Sequence, residues 1–183
     1  MPFFWTPQDK LENRKPAERD LFKLWIRQGY LLTTPGPTIR YNWVAHQIAE
    51  LGARYQIKVI GYDRWRIADL KPELDDLGCV LPLEDFGQGY QSMAPAVDLF
   101  HEKALNGLVR HAGHPVLASC VTSAILTLDP AGNRKIDKAK SKTAATIKVD
   151  GAVALAIALM MVGRHNEDPW AMSRIIEARG GLP

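Results

Sequence analysis

Residues 56–85 read QIKVIGYDRWRIADLKPELDDLGCVLPLED, and this stretch decides the fold class. Ile57, Val59 and Ile60 give residues 56–62 the character of a short β-strand that runs out at Asp63. A helix is expected from about Arg66 to Leu77, closed by Gly78, followed by CVLPL as a second strand candidate and EDFGQG as a polar turn. Strand, helix and strand in this order predict a parallel βαβ unit with a right-handed crossover. In such sheets reactive side chains gather beyond the carboxyl ends of the strands. Asp63 and the pair Glu84–Asp85 occupy that kind of position.

Working outward toward the N-terminus, Tyr41 is followed by a helix expected from about Asn42 to Ala53, with Val44, Ile48 and Leu51 on its apolar stripe. Before it, YLLTTPGPT joins a short extended run to a Pro-Gly-Pro turn, and a helix from about Pro16 to Gln28 stops at Gly29. Residues 1–15 read as a connector lying on the body. Toward the C-terminus, a helix spans about Ser92–Asn106, LVRH is a short strand candidate, and Pro115–Leu128 reads as a helix running into a strand. DPAGN (129–133) is a turn, residues 130–146 and those after Arg164 are expected to be irregular, and GAVALAIALMMVG (151–163) is a buried helix. At thirteen residues that last segment is too short to cross a bilayer.

The 183 residues suit one domain, and 46% apolar with 23% charged residues argue against overall disorder. Net charge is only +3, but its distribution is informative. Between Ala131 and Asp150 stand Arg134, Lys135, Lys138, Lys140, Lys142 and Lys148 against Asp137 and Asp150, six bases to two acids. Such a patch attracts a polyanion, or simply solvates a loop. Cys79 and Cys120 lie in apolar runs without ligand spacing and read as buried free thiols. The N-terminus lacks the pattern of a secretory leader, and the absence of GxxxxGK[ST] argues against ATP hydrolysis by this piece.

Asp63 and Asp150 are the leading candidates for chemistry. A carboxylate at the end of a short strand can hold Mg²⁺ or Mn²⁺ with little freedom, or can cap the next helix. Asp150 opens the buried helix directly after the basic stretch, where the free amides favour a negative charge whether or not a metal is involved. Carboxylates gathered around divalent cations can hydrolyse a phosphodiester, but two acids are few for two metals, so a further ligand is expected. His111 and His114 have no partners at zinc spacing and read as structural or substrate-contacting. Trp5, Trp25, Trp43, Trp65 and Trp170 are scattered and are expected in core and seam packing.

From about Phe4 to Gly163 the chain resembles the C-terminal nuclease domain of the large terminase subunit of tailed bacteriophages. The resemblance is carried in order by FFWTP, W-x-x-x-G-x-L (25–31), TTPGPTIRY, IGYDRW, FGQGYQSMAPAVDLF, GLVRHAGHPVL, DPAGNRKIDKAKS and IKVDGAVALAIAL. It implies a ribonuclease H-like α/β fold, a central mixed sheet flanked by helices, with an acidic cluster binding Mg²⁺ or Mn²⁺. The domain then divides as a connector at 1–15, a nuclease-like domain at 16–163 and a tail at 164–183. Asp63 and Asp150 correspond to the second and third catalytic aspartates, and Lys138, Lys140, Lys142 and Lys148 form the DNA-facing set. Glu84, Asp85 and His111 are supporting candidates, His111 falling in the family's G-x-L-x-H motif.

Two departures from the family pattern stand out. The opening strands, with the first catalytic aspartate, precede the tryptophan-proline motif in the family and are expected to be missing here. Ser123 stands where the family often has asparagine. The resemblance further implies double-stranded DNA, a portal protein and a small terminase subunit as partners, no membrane, and the cytoplasm of a bacterial host. The expectation is therefore an endonuclease impaired in this chain. The alternative is a non-catalytic DNA-binding or assembly module derived from it.

Overall fold

The computed structural model describes residues 2–64, 67–144 and 148–165, and for 142–144 the backbone alone. The expected βαβ unit is present. Strand β3 (Ile60–Tyr62) pairs in parallel with β4 (Leu83–Asp85), in the register Gly61 to Glu84 and Tyr62 to Asp85, and helix α3 (Ile67–Asp76) lies between them in sequence. The second strand begins later than CVLPL suggests. Pro82 has no N–H to give the ladder, and only its carbonyl takes part, accepting from the Ile60 amide at 2.8 Å. Glu84 and Asp85 are thus the last strand residues and do not belong to the turn after it.

Residues 2–15 are built into the body, which corrects their reading as a connector lying on it. Strand β1 (Trp5–Pro7) pairs in parallel with β2 (Leu32–Thr34), one turn of 3-10 helix follows at Gln8–Lys10, and Leu11 is buried in the core. Between these strands runs α1 (Pro16–Arg27), whose Phe22 and Trp25 face inward, and β2 is followed by α2 (Tyr41–Arg54). Trp43 on α2 is half exposed, so it departs from the packing role expected of the tryptophans, while Trp65 and Trp170 lie outside the described residues.

The helices α4 (Tyr90–Leu105) and α5 (Pro115–Thr122) occur as expected, whereas LVRH forms no strand. It leads into a turn where Ala112 and Gly113 both take positive φ, 50° and 69°. The basic stretch is also more regular than its composition suggests. Strand β5 (Leu126–Leu128) pairs antiparallel with β6 (Arg134–Ile136), and α6 (Lys138–Ala144) follows directly. Asp129 builds the intervening turn by accepting from the amides of Ala131 and Asn133, both at 2.9 Å. The strands of the described residues form three pairs, two parallel and one antiparallel.

The last helix, α7 (Asp150–His165), is the organising element. It packs along α4 and α5 and over β3, burying Ala152, Val153, Ala156, Ile157 and Met161 with Phe86, Met93 and Val97 in one core. It is two residues longer than GAVALAIALMMVG at its C-terminal end and one at its N-terminal end. Residues 166–183, most of the expected tail, lie outside the described residues.

Candidate metal centre and nucleic-acid interface

Asp63 directly follows β3 and Asp150 opens α7, and both line one cavity of about 780 Å³. Its floor is apolar, made by Val59 and Ile60 with Val153, Ile157 and Met161 of α7, and Lys58, Lys138, Gln88 and His165 complete its polar lining. Lys58 and Val59, which lead into β3, and Ile60 and Gly61 within it line the cavity in succession. Among the described residues β3 pairs with β4 alone, so its other edge carries no strand partner.

Two contacts fix the walls. A Cβ on Gly61 would lie 2.7 Å from both Ile157 Cγ2 and Met161 Cγ, so α7 rests directly on the strand backbone. At the helix mouth, a Cβ on Gly151 would lie 2.6 Å from Phe4 Cε1 and 3.0 Å from Cys120 Sγ. Cys120 is buried, and burial pushes its thiol above the ordinary value, in keeping with an inert core cysteine; Cys79 is half-buried.

Lys138 approaches from α6. Its Nζ lies 3.1 Å from Asp150 Oδ1, with 47% and 61% of the two side chains exposed, so the pair is a solvated one of about 0–1 kcal/mol. The position of α6 is nevertheless well defined. Asp137 Oδ1 caps it by accepting from the Ala139 and Lys140 amides at 3.0 and 2.9 Å, and buried Ser141 Oγ accepts from the Ile125 amide at 2.9 Å.

The other bases of the stretch divide. Arg134 donates to Asp98 at 2.9 Å, and Lys135 sits 4.4 Å from the Tyr90 ring centroid, so both serve packing between β6 and α4. Lys140 and Lys148 are exposed and do not line the cavity. The side chain of Lys142 lies outside the described residues.

None of the supporting candidates lines the cavity. Glu84 accepts from Arg164 Nη1 at 2.7 Å and is bonded to His165 Nε2 at 2.6 Å, and these two, His165 first, hold its carboxyl below the usual range. It thereby fastens β4 to the far end of α7. Asp85 pairs with Arg64 at 3.2 Å. His111 is half-buried, with an Nδ1 that is buried and has no hydrogen-bond partner. Among the described residues no three or more His, Cys, Asp or Glu side chains form a metal-binding group.

His114 is a structural histidine. It is buried, caps α5 by accepting from the Leu117 amide at 3.4 Å, and packs its ring 4.9 Å from Tyr30 and 5.3 Å from Phe4. Burial pushes its pKa below the ordinary 6.5. The unfolded chain therefore binds this proton more readily than the folded one. The neutral ring contributes stability that is present above pH 6.5 and is lost as pH falls toward the depressed folded value. An NMR titration is expected to place the His114 ring below the ordinary histidine value. The melting temperature should fall on acidification through this range, with a shallower slope in His114→Asn, which keeps a capping oxygen.

Three lining residues escaped the sequence reading. Lys58 sits inside an apolar run, where the alternation of a half-buried strand accounts for it fully. Gln88 follows the glycine of a loop, and His165 lies beyond the expected end of the last helix.

Residues 1–167 match the family described as "Terminase large subunit, endonuclease domain". The large terminase subunit of Enterobacteria phage HK97 is 45% identical over 165 residues, which cover 90% of this chain and 31% of that protein. The crystal structure of the HK97 large terminase superposes with a TM-score of 0.78 over 87% of this chain and 32% of its own, again at 45% identity. The chain thus spans about a third of the length of the relative it matches. With its α/β architecture, sequence and backbone in agreement, the chain belongs to the endonuclease-domain family of the phage terminase large subunit.

Proposed function

We propose that this domain hydrolyses phosphodiester bonds of double-stranded DNA with Mg²⁺ or Mn²⁺ held by Asp63 and Asp150. The observation that carries the reading is that a strand-end aspartate and a helix-mouth aspartate line the same cavity, beside two lysines. Short carboxylates are the hard oxygen donors that such cations take. When bound, the cations supply an activated water and stabilise the leaving oxygen. Lys58 and Lys138 bring positive charge to the cavity for a phosphate, and the exposed Lys140 and Lys148 belong with Lys142 to the same basic stretch of sequence.

Among the described residues no third carboxylate lines the cavity with Asp63 and Asp150, and weak cutting is expected from two such ligands. In the whole protein the same surface would act on DNA during packaging in the host cytoplasm, alongside a portal protein and a small terminase subunit. The described residues contain no helix long and apolar enough to cross a membrane.

The test is plasmid nicking with Mn²⁺, together with calorimetric Mn²⁺ binding. Weak nicking that disappears in Asp63→Asn and in Asp150→Asn, with Mn²⁺ affinity falling at least tenfold in each, supports the reading. Mn²⁺ binding and nicking indifferent to both substitutions would refute it. Salt-sensitive duplex binding without any metal-dependent cutting would favour a non-catalytic DNA-binding or assembly module.

A further inference from the structure

We propose that Lys138 is an exchangeable counter-ion, its ammonium neutralising Asp150 while no divalent cation is present and turning to a DNA phosphate once one binds. The inference rests on the metal-site reading above and adds to it a coupling between metal and DNA. The Lys138 ammonium lies 3.1 Å from Asp150 Oδ1, inside the cavity shared with Asp63 and Lys58. A divalent cation takes a carboxylate oxygen at about 2.0–2.6 Å. The ammonium on Oδ1 leaves it only the second oxygen and repels its charge, so each weakens the other's hold on Asp150.

The geometry allows only a small part of the molecule to move. Helix α6 is pinned at its start by the Asp137 cap and at Ser141 by the buried bond to the Ile125 amide. The lysine stem, by contrast, is half exposed and carries a head that rotates freely. Exchange therefore needs a rotamer change and no shift of α6. The Asp150 contact is weak enough to be displaced, since solvated pairs of this kind contribute little. Displacement frees one positive charge at the cavity mouth only when a metal is in place. Metal and duplex then strengthen each other's binding by the same factor.

Mn²⁺ titration by calorimetry on wild type, Lys138→Gln and Lys138→Arg, with and without a short duplex at fixed ionic strength, tests this. Lys138→Gln is expected to tighten Mn²⁺ binding in the absence of DNA by roughly two- to fivefold, the size of a solvated ion pair. In the same variant the gain in duplex affinity on adding Mn²⁺ should shrink, while Lys138→Arg retains both competition and gain. Unchanged Mn²⁺ affinity in Lys138→Gln overturns the proposal, whether duplex binding falls, as for a plain phosphate contact, or stays, as for a surface pair. Asp63→Asn and Asp150→Asn serve as controls. If wild type shows no aspartate-dependent Mn²⁺ binding, the metal-site reading itself fails. If it does and Lys138→Gln leaves the affinity unaltered, only the exchange fails.

Discussion

Phe86→Ala is expected to lower the stability of the folded chain by about 3–5 kcal/mol, the range for emptying a fully buried aromatic site. Phe86 is only 1% exposed, the largest fully buried side chain among the described residues, and belongs to the core that α7 shares with Met93 and Val97. It follows β4 directly, its amide donates to the Tyr62 carbonyl at 2.8 Å, and its ring lies 5.2 Å beneath the Arg164 guanidinium. Truncation removes the ring that joins the end of the βαβ unit to the last helix. Since a domain of this size has a total stability of about 5–15 kcal/mol, the variant should melt far earlier or remain partly unfolded. Phe86→Leu keeps most of the volume and should cost much less. Denaturant titration of the three proteins checks the order, and equal midpoints for wild type and Phe86→Ala would show that the ring carries no core.

Gly61→Val should have the second-largest effect, about 1–3 kcal/mol or more from overpacking, together with a loss of Mn²⁺ affinity. The atoms a Cβ would meet at 2.7 Å, Ile157 Cγ2 and Met161 Cγ, are near the roots of side chains on a buried helix, so α7 itself must move out. That helix carries Asp150 and the strand leads to Asp63, so any widening separates the two aspartates. Met161→Ala alone creates a void and destabilises. Combined with Gly61→Val it should restore part of the stability, a non-additive result measurable by a double-mutant cycle. Strict additivity would mean that strand and helix do not press on each other here.

Much of this architecture could be read from local patterns. The βαβ unit was legible because Ile57, Val59 and Ile60 lead into a helix that closes at Gly78, where φ is 62°. The helices α1, α2, α4, α5 and α7 announced themselves by periodicity or by their uniform apolar character. What escaped was non-local. Trp5–Pro7 is three residues long and gains its identity as a strand only by pairing with Leu32–Thr34. The run that begins with Arg134 and Lys135 looks like a solvated loop until Asp98 and Tyr90 on α4 are brought beside it.

The site was legible in the same partial way. Spacing left Asp63 and Asp150 open between caps and ligands, and the resemblance to the terminase family singled them out. Their meeting in one cavity depends on the glycine contact between β3 and α7, which no run of sequence encodes locally. The pairing of Lys138 with Asp150 joins residues on two different helices, which a one-dimensional charge count does not reveal.

Phe4 touches the first turn of α7 so closely that a methyl group on Gly151 could not be admitted without displacing it. The Phe4 carbonyl meanwhile accepts from the Leu32 amide at 2.8 Å, so the same residue is anchored to the β1–β2 pair. Tension applied to the chain ahead of Trp5 would be delivered through one aromatic ring to the residue next to Asp150, and fraying of β1 should raise amide hydrogen exchange at Ala152 and Val153, both bonded to the Val149 carbonyl.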